Sequence, residues 1–81
     1  MEINTTAALL EMVAEHLPPF STRRELAKFL RTTEHWLARE AMAGRGPAMI
    51  KMSSGRSGTV RYSHQAIAEW LEQQSRGGVA A

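Results

Sequence analysis

A mainly α-helical fold with one β-hairpin, a winged helix-turn-helix preceded by an extra N-terminal amphipathic helix, is predicted by three observations. Two capped helical segments lie only three residues apart, two alternating segments follow around a Gly/Ser-rich tip, and nearly all the positive charge falls on this same stretch. Between residues 21 and 64, Arg23, Arg24, Lys28, Arg31, Arg39, Arg45, Lys51, Arg56 and Arg61 stand against Glu25, Glu34 and Glu40, a net +6. Residues 1–20 carry −3 and residues 65–81 carry −1. Segregated charge of this kind is the electrostatic footprint of a nucleic-acid partner, which the whole-chain +2 conceals.

The first element is an amphipathic helix over residues 5–17. Leu9, Leu10, Val13, Ala14 and Leu17 recur at helical spacing, Glu11 and Glu15 lie on another face, and Pro18-Pro19 ends the pattern. Its apolar stripe either completes the core of a small domain or forms a dimerisation surface. Thr22-Arg23-Arg24-Glu25 is a capping box, so a second helix starts at Arg23 and buries Leu26, Ala27, Phe29 and Leu30. Thr33 caps a third helix from Glu34 to about Met42, with Leu37 and Ala41 inward. Gly44 supplies a left-handed stop, and Gly46-Pro47 turns the chain into extended structure. Residues 48–52 and 59–62 alternate, which places Ile50, Met52, Val60 and Tyr62 on one face of a hairpin and Lys51 and Arg61 on the other. Ser63 caps a last helix through roughly Gln74, burying Ile67, Trp70 and Leu71, and residues 75–81 are expected as a frayed tail. The domain reading is thus 1–20 for the added helix, 21–74 for the winged unit and 75–81 for the tail.

Composition narrows function. The 81 residues make one domain, which buries roughly 60–65% of its unfolded surface, and no cysteine is available for a disulfide or thiolate site. Aspartate is absent and the glutamates are scattered, so neither a divalent-cation site nor a carboxylate dyad is expected. His16, His35 and His64 lie on three elements without metal-ligand spacing, and Gly55-Arg56-Ser57-Gly58 lacks the phosphate-loop spacing. No enzyme activity, metal or cofactor is expected. With neither a basic leader nor a membrane-length apolar run, a soluble cytoplasmic protein is expected.

With these elements in order, residues 21–72 resemble the excisionase-like, AlpA-type winged helix-turn-helix proteins of the MerR superfamily. Thr22, Glu25, Leu26, Ala27 and Leu30 match the opening T-x-x-E-[AL]-A-x-x-L, and Thr33, Leu37 and Arg39 match the second helix. Gly44-Arg45-Gly46-Pro47, Ile50-Lys51, Val60-Arg61-Tyr62 and Ile67 with Trp70-Leu71 match the remainder. The family commonly has a small residue at the positions of Arg31 and Trp36 and a large apolar one at that of Glu40. The resemblance implies a recombination directionality factor of a phage or mobile element, which binds and bends attachment-site DNA beside an integrase. Alternatively, it implies a small transcriptional regulator with the same fold.

The expected DNA contacts follow from helix phase. His35, Trp36, Ala38 and Arg39 lie opposite Leu37 and Ala41, so they are the candidates for the major groove, with Arg39 the best match to guanine. Trp36 could instead brace the first helix, which is the preferred reading, stack at the DNA backbone, or fill the space left by the polar Glu40. Arg56 with Ser54 and Ser57 at the hairpin tip suits the minor groove. Thr22, Arg23, Arg24, Arg31, Thr33, Arg45, Lys51 and Arg61 are the candidates for phosphate, although Arg24 or Arg31 could pair with Glu25 or Glu34. A rival reading makes the scaffold a protein-interaction module that docks through the first helix.

Overall fold

The computed structural model describes residues 5–53 and 59–77. Along the chain run α1 (Thr5–His16), β1 (Phe20–Ser21), α2 (Arg23–Leu30), α3 (Glu34–Met42), β2 (Ile50–Lys51), β3 (Val60–Ser63) and α4 (His64–Gly77). The strands form one antiparallel sheet in the order β1-β3-β2, so the fold is mainly helical with a small sheet that includes a hairpin.

Local chemistry sets the helix ends. The Thr22 hydroxyl accepts from the Glu25 amide at 3.0 Å, and Glu25 Oε1 accepts from the Thr22 amide at 2.8 Å, closing both halves of the capping box. Thr33 Oγ1 accepts from the Trp36 amide at 3.0 Å, and Ser63 Oγ accepts from the Ala66 amide at 3.1 Å. Helix α3 closes with a Schellman pattern: the Gly44 amide reaches the Ala41 carbonyl at 3.1 Å and the Arg45 amide reaches that of Glu40 at 2.8 Å. Gly44 has φ +75, which a glycine adopts without steric cost. Helix α2 ends in the same way, with the Arg31 amide on the Lys28 carbonyl at 3.1 Å and the Thr32 amide on that of Ala27 at 2.8 Å. Here the left-handed position is held by Arg31, at φ 60 and ψ 43, a conformation that L side chains rarely adopt.

One core gathers the inward faces. Val13 from α1 and Leu17 just beyond its end, Leu26 and Ala27 from α2, Leu37 from α3, Tyr62 from β3 and Ile67 from α4 are buried together, with Phe29, Leu30, Val60 and Leu71 packed at the margin. Helix α1 lies against α4, whose Ala68 is fully buried. His64 ties the two further: a carbonyl can only accept, so Nε2 donates to the Leu17 oxygen at 2.8 Å. Ala14, expected in the α1 stripe, is exposed, because the buried path along α1 runs through Val13 and Leu17.

Three expectations about the remainder need correction. Strand β1 was not foreseen; after Pro18-Pro19 breaks α1, the chain runs extended beside β3, pairing Phe20 with Ser63 and Ser21 with Tyr62. The buried Ser21 hydroxyl is satisfied by the Pro18 carbonyl at 3.1 Å. Helix α4 continues beyond Gln74 through Ser75 and Arg76 to Gly77, its last turn supported by a 2.7 Å ion pair between Arg76 and Glu72.

The third correction concerns the hairpin. Ile50 pairs with Arg61 and Lys51 with Val60. Directly paired residues share a face, so Ile50 lies with Arg61 and Lys51 with Val60 and Tyr62, opposite to the faces expected from alternation. β3 turns Tyr62 into the core beside Ser21, whereas β2 is an edge strand with both its residues exposed. Burial therefore dictates which face β3 turns inward but not which face β2 does.

Candidate nucleic-acid interface

Two short helices and the residues that link them carry the candidate site. Helix α3 buries Leu37 and half-buries Ala41, and this phase turns His35, Arg39 and Met42 outward with Ala38 half-buried among them. Met42 is 89% exposed. It was not singled out from the sequence, although its place one turn beyond Ala38 and Arg39 puts it on the same stripe. Trp36 stays outside the core and keeps 39% of its surface exposed.

On α2, Arg24 and Lys28 are exposed and one turn apart. With Ala27, Thr32, Thr33 and Glu34 they border a shallow groove at the start of α3, where the first amides of that helix favour anions. Lys28 was likewise not among the expected contacts, although its i,i+4 spacing from Arg24 was visible. Arg31 projects from the exposed link between α2 and α3. Arg24, Lys28, Arg31, Arg39 and Lys51 form no ion pair or side-chain hydrogen bond among the described residues.

Other expected contacts have partners within the chain. Arg23 Nε donates to the Tyr62 hydroxyl at 3.1 Å and Nη2 to Met49 Sδ at 3.5 Å, which ties α2 to the sheet. Arg45 grips Glu40 side-on, with Nε to Oε1 at 3.1 Å and Nη2 to Oε2 at 3.0 Å. That pair joins the first and last positions of the Schellman turn, where a hydrophobic contact is usual. The anticipated pairs of Arg24 or Arg31 with Glu25 or Glu34 do not form: Glu25 is occupied by its cap. The Arg45 hydrogen bonds hold the Glu40 carboxyl below its usual range; partial desolvation opposes this, and the charges of Arg45 and Arg39 add to it. Glu40 in turn holds the Arg45 guanidinium above its ordinary value. The Arg45 carbonyl accepts from Trp70 Nε1 at 2.7 Å, which anchors the exit of α3 to α4.

Lys51 and Arg61 lie on opposite faces of the sheet, so they cannot act as one basic outer surface. The Thr22 and Thr33 hydroxyls are engaged as caps. Ser54, Arg56 and Ser57 lie outside the described residues. Among the described residues no three histidine, cysteine, aspartate or glutamate side chains come together as a metal ion would require. No described helix is long and apolar enough to cross a membrane. Comparison with protein-family models, with curated proteins and with solved structures finds no match to the chain.

Proposed function

We propose that this chain is a sequence-specific DNA-binding protein of winged helix-turn-helix form. In this reading α3 enters the major groove and the tip between β2 and β3 reaches the adjacent minor groove. The observation that carries it is the set of exposed cations on α2, α3 and the link between them that form no ion pair or side-chain hydrogen bond among the described residues: Arg24, Lys28, Arg31 and Arg39. Four such charges beside an outward helix stripe suit a phosphate-lined groove, with Arg39 reading a guanine edge and Arg24 and Lys28 gripping backbone near the start of α3. His35, Ala38 and Met42 complete the stripe; Ala38 and Met42 offer apolar surface to a thymine methyl. Arg23 and Arg45 serve instead to hold α2 and α3 in place.

The resemblance carried by the sequence favours excision control, with the protein bending attachment-site DNA for an integrase, over control of a promoter. The test is binding of purified protein to mixed genomic fragments over a range of salt, followed by sequencing of what is retained. Phosphate contacts from Arg24, Lys28 and Arg31, at about −0.9 each, give a slope of log affinity against log salt near −3. Repeated sites beside an integrase gene support excision, and a promoter site supports transcriptional control. No retention at low salt would sink the DNA reading altogether.

A further inference from the structure

The fold leaves two surfaces uncovered, and we infer that they are complementary: the outer face of the sheet on one copy of the chain docks on the outward face of α1 of a second copy. The sheet face follows from register. Phe20 paired with Ser63 and Ile50 paired with Arg61 share one side, and the Met52 amide on the Thr59 carbonyl at 2.7 Å extends it by one residue. The opposite side turns Ser21 and Tyr62 into the core, so the helices pack there and not here. Phe20, Ile50 and Met52 are left 58%, 42% and 59% exposed around the half-buried Arg61. Three large apolar side chains on one small sheet face form a patch of the kind that marks an interaction site.

Helix α1 supplies the counterpart. Its outward stripe carries Ala8, Glu11, Met12 and Glu15, all exposed, and neither carboxylate has an ion-pair partner among the described residues. Charge decides how these faces can meet. Two sheet faces brought together would set Arg61 against its own copy, and two α1 faces would set Glu11 and Glu15 against theirs; like charges placed across an interface are costly. Only crossed pairing sets Arg61 against carboxylates while Met12 meets the exposed apolar residues of the sheet. The opposed charges of residues 1–20 and 21–64, −3 against +6, steer the encounter the same way. This inference uses residues outside the proposed DNA contacts on α2 and α3, and it stands whether or not the chain binds DNA.

The test is the mass of the full chain in solution, without DNA, measured by sedimentation as concentration rises. The wild-type mass is expected to rise with concentration and to fall back in high salt. Arg61→Glu alone, and Glu11→Arg with Glu15→Arg alone, each weaken association at least about tenfold. An equimolar mixture of the two variants associates again, because each then offers a face complementary to the other's. Unchanged melting temperatures show that each variant is folded. A closed reciprocal dimer and an open chain of copies both satisfy the inference. A wild-type monomer at every concentration overturns it, as does association that charge reversal leaves intact or that the mixture fails to restore.

Discussion

Arg31 is the position where stability and binding are expected to pull apart. Its backbone sits at φ 60 and ψ 43, a conformation that costs an L-residue about 1–2 kcal/mol because Cβ crowds the neighbouring carbonyl. Glycine removes that crowding but gives the unfolded chain more freedom, which returns about 0.4–1 kcal/mol. The two amides that close α2 onto the Lys28 and Ala27 carbonyls are untouched by the change. Arg31→Gly should therefore stabilise the fold by about 0.5–1 kcal/mol, a rise of roughly 2–8 °C in melting temperature for a domain of this size. Arg31→Ala keeps the crowding while removing the same charge, so it should show no gain. In fragment binding, both variants should lose affinity and flatten the salt slope by about 0.9, the contribution of one phosphate contact. A glycine variant no more stable than the alanine variant would refute the argument from backbone conformation. Unchanged salt slopes would remove Arg31 from the interface.

Arg39→Ala should lower affinity for the preferred site by about 1–3 kcal/mol and relax preference at one base pair, as read by titration against a panel of single-base variants. Trp70→Phe removes the donor to the Arg45 carbonyl and should cost about 1 kcal/mol in a urea melt, with little change in the dependence on denaturant. The Glu40 carboxyl is held below its unfolded value, so its contribution to stability is complete above the ordinary carboxylate range and disappears as pH falls through the depressed folded value. Melting temperatures of the wild type and of Arg45→Met should accordingly differ near neutral pH and converge in acid.

What the sequence showed and what it hid divide by the range of the interactions concerned. The caps of α2, α3 and α4 were legible because Thr22, Thr33 and Ser63 bond amides only three residues away. The left-handed stop at Gly44 was legible for the same reason, as were the inward residues Leu26, Leu37 and Ile67. Strand β1 was hidden because two residues have no periodicity, and only their pairing with β3, far along the chain, defines them. Hairpin register was misjudged because alternation assumes a buried face on both strands, and the edge strand β2 has none. Arg23 and Arg45 looked like any other cations. Tyr62, 39 residues away, gives Arg23 its role, and the turn that closes α3 brings Glu40 against Arg45. The distribution of charge was visible from the start, whereas which charges are free is a property of packing.

The bond from His64 to the Leu17 carbonyl spans 47 residues, and it marks how far along the chain α1 must reach to meet α4, the helix it lies against. Pairing between neighbours is quick and pairing over such a separation slow, so α2 and α3 are expected to be ordered before α1 docks on α4. Chain order puts α1 ahead of α4, so the cover that α4 gives to Val13 and Leu17 is the last to be made. Glu11 and Glu15 on its other side stay exposed in the folded chain and give the waiting helix a polar face towards water.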